Sequence, residues 1–375
     1  MKAIGLMSGT SLDGVDVALV DIYSKEDSLS VELLKFQTYD YSAELLSLLK
    51  KVINDAQVTL QEISYLNFAL GELYSQCCLQ LCAEASISCE ELSFIASHGQ
   101  TLYHQPEKQD MYTSNTFQVG ESAIIAQRLQ TTVVSNFREA DMAAGGQGAP
   151  IVPFSEILLY RTHEKNRILQ NIGGIGNLTF IKKDAQLEDV IAFDTGPGNM
   201  VIDALTKHFF NQAYDKDGSY GERGVPNRVF VEKYMNMPYF KQPFPKTTGR
   251  EMFGQHFVEQ ILQEWSMSPV DFIASATLFT AKSIAYHVKQ LVNEQTELIV
   301  GGGGAYNPTL LKMLREELPA SISVITQEDL GISSDAKEAV AMAILGKYTL
   351  EAHANNVPNA TGANSSVILG KITLY

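Results

Sequence analysis

The chain has 375 residues, 45% of them hydrophobic and 19% charged, and a formal net charge of -15 at pH 7. That length exceeds what one hydrophobic core usually serves and predicts two domains, while the negative charge sets nucleic acid and anionic membranes aside as partners. No apolar run reaches transmembrane length and no leader pattern opens the chain, so a soluble cytoplasmic protein is expected. Cys77, Cys78, Cys82 and Cys89 lack paired zinc spacing and read as buried, reduced thiols.

Lys2 to Met7 is an apolar strand, followed by SGTSLDG and then by Val15 to Val20 with the period-two pattern of a second strand. Val31 to Thr38 supplies a third. Ser42 caps a helix carrying Leu45, Leu46, Leu48, Leu49 and Val52. Thr59 and Glu62 have capping-box spacing, ahead of the stripe Ile63, Leu66, Leu70, Leu73 and Cys77. Leu92 to Ala96 reads as a buried strand with SHGQT at its exit. Gly120 to Gln130 is helical in pattern, Thr131 to Phe137 a strand, and the loop AAGGQGAP relaxes into a helix at Ile151 to Tyr160.

After the charged stretch Arg161 to Asn166 the scheme begins again, with strands at Arg167 to Ile172, Leu178 to Ile181 and Val190 to Asp194, then a helix from Gly198 to Phe210. Helices follow, including Ser275 to Val292. Glu297 to Val300 is a strand running into GGGGAYN, Leu310 to Leu318 a helix, Ile322 to Ile325 a strand, and Ser334 caps a last helix to Leu350. Val367 to Leu374 adds an edge strand. Each half thus opens with three strands and continues in α/β alternation, a repeat of pattern without a repeat of residues.

The stretch Val190 to Leu205 places Asp194 at the mouth of a strand, beside Gly196, Pro197 and Gly198 and the start of a helix whose backbone N–H groups suit an anion. Such a carboxylate is a base or magnesium ligand in phosphoryl transfer, or else a helix cap. Two further Gly-rich turns accompany it, MSGTSLDGVD at 7–16 and GGGGAYN at 301–307. Neither a P-loop nor a dinucleotide fingerprint is present. His98 and His104 flank Gln100 and Thr101, and hydrogen bonding to a polar ligand fits them better than metal ligation, for which further ligands are missing. KTTGRE at 246–251 is either a site-lining segment or a solvated loop.

The three turns resemble the phosphate-1, phosphate-2 and adenosine motifs of the actin, hexokinase and heat-shock ATPase superfamily. More narrowly, MSGTSLDGVD, IASHGQT, NFREADMAAGGQGAP, NIGGIGN, FDTGPGN, GGGGAYNP and SSDAKEA are together similar to the anhydro-N-acetylmuramic acid kinase family. The resemblance implies two ribonuclease-H-like α/β domains with an ATP cleft between them, set at 1–137 with 352–375 and at 138–351. It implies an ATP- and magnesium-dependent enzyme of peptidoglycan recycling that opens the ring of 1,6-anhydro-N-acetylmuramic acid with water and phosphorylates O6, working as a homodimer.

Carried onto this sequence, Asp194 is the catalytic base. Gly9, Thr10, Ser11, Leu12, Asp13, Gly14, Val15 and Asp16 bind the ATP phosphates, with Asp13 holding magnesium through water. Gly196, Gly198 and Asn199 flank the transferred phosphate, and Gly301, Gly302, Gly303, Gly304 and Asn307 hold adenosine. His98, Gln100, Thr101, Arg138, Asp141 and Glu338 bind the sugar, Arg138 suiting its lactyl carboxylate. Each has a plainer alternative: Asp141 pairs with Arg138, Asn199 is a turn residue, Glu338 a solvated helix acid. An ordinary sugar kinase that opens no ring is the alternative function, and a nucleotide-gated structural module the alternative class.

Overall fold

The computed structural model describes residues 1–9, 12–25, 28–54, 57–186, 189–244, 246–331 and 333–375. In chain order the described residues form the strands β1 Lys2–Ser8, β2 Val15–Lys25, β3 Ser28–Tyr39, β4 Phe94–Gln105, β5 Asn115–Val119, β6 Val133–Ser135, β7 Asn166–Ile172, β8 Ile175–Ile181, β9 Ile191–Pro197, β10 Thr296–Gly301, β11 Ile322–Thr326 and β12 Lys371–Thr373. They fall into two compact units, Met1–Tyr160 with Asp335–Tyr375, and Arg161–Ser334.

The first unit holds one sheet in the order β12-β6-β4-β1-β2-β3, with β5 paired to β4. The β1–β2 and β2–β3 pairs are antiparallel, whereas β1–β4 and β4–β6 are parallel. The second unit holds the order β11-β10-β7-β8-β9. Here β7–β8 and β8–β9 are antiparallel, and β7–β10 and β10–β11 parallel. In each unit a meander of three strands is extended by parallel strands beside its first strand, giving β3-β2-β1-β4-β6 and β9-β8-β7-β10-β11, the same order once the side strand β5 and the edge strand β12 are set aside. This is the two-domain ribonuclease-H-like α/β class expected from the sequence.

Central position explains the composition of β1. Ala3 and Ile4 are fully buried, and a Cβ on Gly5 would run into the carbonyl oxygen of Ala339. The helix Lys337–Leu350 therefore lies almost backbone to backbone on β1. At its other end a Cβ on Gly346 would come within 2.8 Å of Ala96 on β4. That packing assigns the helix to the first unit, although the expected boundaries gave it to the second. The helix Pro153–Tyr160 joins it through the Lys337–Glu156 ion pair and the edge-on rings of Phe154 and Tyr348, 4.9 Å apart. The expected break at 137/138 thus falls inside the first unit.

Two of the three cap signals hold. Ser42 accepts from Leu45 N–H at 3.2 Å, and Thr59 and Glu62 form a reciprocal box at the start of Leu60–Glu84. Ser334 does not cap: Ala336 precedes the helix, and the Ser334 N–H goes to Glu328 at 3.3 Å. Two strands run further than their apolar cores. β4 continues through SHGQT to pair with β5, whose sequence NTFQV buries only Gln118 and Val119 and so gave no strand signal. β9 continues through Thr195, Gly196 and Pro197, so Asp194 sits within the strand, opposite Asn177. No described helix is long and apolar enough to cross a membrane.

Candidate active site

In the first unit, the turn between β1 and β2 is anchored from below. The amide of Gln100, fully buried, donates to the Gly9 carbonyl at 3.1 Å and accepts from Tyr41 OH at 3.0 Å. Leu12 takes a left-handed φ of 58°. Gly14, at φ 156°, is pressed on β3, where a Cβ would stand 2.6 Å from Thr38 Cγ2. Thr10 and Ser11 lie outside the described residues. Asp16 accepts from Thr38 Oγ1 at 2.6 Å, and burial, with added repulsion from Asp13 and Asp335, holds its carboxyl above the usual range. Asp13 itself is exposed.

A cavity of about 350 Å³ opens beside this turn, lined by Ser8, Gly9, His98, Thr101, Arg138 and Glu338. Arg138 Nε donates to His98 Nε2 at 2.9 Å and its Nη1 to the Gly148 carbonyl at 2.8 Å. His98 Nε2 must then be the acceptor, so Nδ1 carries the proton and donates to Gly99 O at 2.7 Å. Burial, then the Arg138 charge, drives His98 down to about 3, and the ring is neutral. Glu338 reaches solvent but stands in a concave wall. The loss of surrounding water raises its carboxyl, with Lys337 opposing.

Gln100 and Asp141 do not face this cavity. Asp141, with no exposed surface, accepts from Gly148 N–H at 2.9 Å, Asn356 Nδ2 at 2.9 Å and Thr361 Oγ1 at 2.7 Å, tying the loop at 144–150 to the C-terminal segment. Its partners are these, rather than Arg138.

In the second unit Asp194 is half-buried and held on both sides. Oδ1 accepts from Asn177 Nδ2 at 3.0 Å and Oδ2 from Thr248 N–H at 2.9 Å. Its backbone is fixed too, with N–H donating to Lys246 O at 2.9 Å and the carbonyl accepting from Tyr239 OH at 2.6 Å. Lys246 is buried, and among the described residues no carboxylate pairs with it. Its ammonium donates to the carbonyls of Tyr239 at 2.9 Å and Phe240 at 3.2 Å, and burial lowers its pKa. Tyr239, Lys246 and Thr248 thus form a strap that fixes one carboxylate by backbone and side chain at once.

The helix start after β9 is less open than its glycines suggest. Gly198 N–H donates to Gly174 O at 2.9 Å, Asn199 N–H to Gly173 O at 2.7 Å, and Asn199 Nδ2 to Ile172 O at 3.1 Å. A Cβ on Gly196 would meet the Phe240 ring at 3.1 Å. These residues let the 171–177 hairpin dock, and Asp194 caps no helix. Among the four glycines at 301–304, Gly302 has φ 75°, and Cβ atoms on Gly301 and Gly304 would strike Gln327 and Ile172. Gly303 alone of the four lines a cavity of about 410 Å³, with Asn199, Asp203, Asp215, Tyr306 and Asn307. Asn307 is also the cap of Pro308–Glu317, accepting from Leu310 N–H at 2.9 Å.

The full sequence, residues 1–375, matches the family model described as anhydro-N-acetylmuramic acid kinase. The chain belongs to that family. The kinase is 46% identical to an anhydro-N-acetylmuramic acid kinase of Bacillus cereus, over 100% of this chain and 99% of that one. It is equally similar, at 46% and the same coverage, to one from Bacillus thuringiensis subsp. konkukian. Among solved structures it is similar to an activator of 2-hydroxyisocaproyl-CoA dehydratase from Clostridium difficile, with a TM-score of 0.44 and 12% identity over 92% of this chain and 94% of that one.

Sequence reasoning passed over several residues that the kinase uses to build its sites. Asn177 had the signal of lying in NIGGIGN, but only the register of β8 against β9 points it at Asp194. Tyr239 carries no pattern of its own, whereas Lys246 and Thr248 lie in KTTGRE, which was left open between a site-lining segment and a solvated loop and which here meets Asp194. Asp203, Tyr214 and Asp215 reach the second cavity from a helix face and a loop that spacing alone leaves solvated. Among the described residues no cluster of three or more His, Cys, Asp or Glu could hold a metal ion unaided.

Proposed function

We propose that this kinase uses ATP and magnesium to convert 1,6-anhydro-N-acetylmuramic acid and water into N-acetylmuramic acid 6-phosphate and ADP, a cytoplasmic step of cell-wall recycling, with the homodimer as its working form. The observation that carries the reading is Asp194, a half-buried carboxylate held by one donor on each oxygen in a chain that matches this family over residues 1–375. Held in that way, its remaining lone pairs are aimed rather than free to rotate, as a general base requires.

The chemistry balances. Asp194 takes a proton from water as the water oxygen bonds to C1, the C1–O6 bond breaks, and O6 accepts the γ-phosphoryl group while ADP departs. Arg138, oriented by neutral His98 and Gly148 O, has Nη2 without a partner among the described residues and so available to the lactyl carboxylate, and Thr101 and Glu338 stand in the same cavity for the sugar hydroxyls. Both ring nitrogens of His98 are engaged, so its part is to set Arg138. Gly303, Tyr306 and Asn307 take the nucleoside end of ATP.

Asp13 and Asp16 suit magnesium. Their mutual repulsion is what a hard cation relieves, and both carboxylates would hold the ion through oxygen, the donor type that magnesium prefers. The ion would neutralise phosphate charge when bound.

Mass analysis of the product after incubation with ATP, magnesium and either the anhydro sugar or free N-acetylmuramic acid tests the reading. A product heavier than the anhydro sugar by one water and one phosphoryl group is expected. Phosphorylation of the opened sugar alone would instead make the protein an ordinary sugar kinase.

A further inference from the structure

Acids outnumber bases around the second unit's cavity, where Asp203, Asp215 and Asp217 face one lysine, Lys216. Asp215 is buried and spent, its oxygens accepting from the N–H groups of Tyr220 at 2.8 Å and Gly221 at 3.0 Å. Asp203 is not. It lies on the first turn of the helix Met200–Phe210, half-buried, and among the described residues no hydrogen bond or ion pair reaches its carboxylate. Burial, then the charge of Asp215, pushes the carboxyl up to about 6. A helix dipole favours an acid in a first turn, but it does not explain why that acid is left half-buried beside a second one. A desolvated carboxylate without a donor costs stability that a ligand's O–H group would return.

The residues assigned above to the nucleoside end of ATP line the same cavity. Phosphates are repelled from three acids, so the part of the nucleotide that fits is neutral and rich in donors. Ribose offers two adjacent hydroxyls. We propose that Asp203 reads the ribose, its carboxylate accepting from the 2′ and 3′ hydroxyls, and so turns the kinase against 2′-deoxynucleotides. This rests on the reading that ATP is the phosphoryl donor.

The test is kcat/KM with ATP and with dATP for the native kinase, Asp203→Ala and Asp203→Asn. The native kinase is expected to favour ATP about tenfold or more, as loss of a hydrogen bond to a charged group predicts. Asp203→Ala is expected to use both within about twofold, through loss of ATP efficiency, with Asp203→Asn between the two. Without nucleotide, Asp203→Ala should melt no lower than the native protein, since an unsatisfied carboxylate has been removed. Equal use of ATP and dATP by the native kinase, an unchanged preference in Asp203→Ala, or a clearly lower melting point for that variant would each overturn the proposal. Failure of the underlying reading looks different, with no phosphoryl transfer from either nucleotide by the native protein.

Discussion

Arg138 and His98 fix each other's state. The guanidinium needs an acceptor at Nε, and a buried ring beside a cation cannot take a second proton, so His98 is held down to about 3. The sign of the pH effect follows. Unfolded histidine binds a proton near pH 6.5 and folded His98 refuses it until about 3, so its stabilising contribution is whole above pH 6.5 and is lost as pH falls through that window. His287, held down to about 4 by burial, acts in the same direction. Melting temperatures measured from pH 7 to pH 4 should therefore fall less steeply for His98→Gln than for the native protein; parallel curves would show that His98 titrates normally. Arg138→Lys should lower kcat/KM by about 10- to 100-fold, chiefly through KM, because one ammonium cannot serve His98, Gly148 O and a carboxylate together. Steady-state kinetics on the anhydro sugar decide it. At this scale Asp194 was singled out from its turn glycines, and Arg138 through the family resemblance. Gln100 and Asp141 were not read as the anchors they are, since only the fold shows that their polar atoms are consumed by Gly9 O, Tyr41, Asn356 and Thr361.

The contact of β1 with the helix Lys337–Leu350 is built for a missing side chain. Gly5→Ala would drive a methyl group into the Ala339 carbonyl, and overpacking of this kind typically costs about 1–3 kcal/mol. Denaturant unfolding should show that loss, and an unchanged midpoint would mean that the helix can lift. The strap formed by Tyr239, Lys246 and Thr248 invites a gentler change. Tyr239→Phe removes only the hydroxyl that donates to Asp194 O at 2.6 Å, so about 1 kcal/mol of stability and a several-fold loss of kcat are expected, without a change in ATP affinity. A kcat equal to the native value would take the strap out of the positioning of Asp194. Strand cores and caps were legible here because burial and capping act over a few residues. The far ends of β4 and β9 were not: Ser97 to Thr101 and Thr195 to Pro197 are polar or turn-forming in composition, and strand partners elsewhere in the sequence, β1, β5 and β6 for the first and β8 for the second, keep them extended. KTTGRE at 246–251 stayed open between a site-lining segment and a solvated loop for the same reason, since the bonds that decide it run to a strand more than 40 residues away.

Across the whole molecule, two units share one strand order while their residues differ. The repeat was legible as alternation of periods, and the division was not, because the helix at 337–350 belongs by packing to strands more than 300 residues earlier in the chain. Function depends on one claim above the others, that Asp194 activates the water that opens the ring. Reaction in ¹⁸O-labelled water, sampled before the free anomeric centre exchanges, tests it directly. The label should appear on the anomeric oxygen, with O6 unlabelled and bearing the phosphate. In Asp194→Asn an amide cannot accept the proton and presents N–H groups to either Asn177 or Thr248, so ring opening and phosphorylation should fall together by about 10²- to 10⁴-fold while ATP still binds. A variant that opens the ring without phosphorylating it, or a native protein that phosphorylates only sugar already opened, would contradict the coupled mechanism.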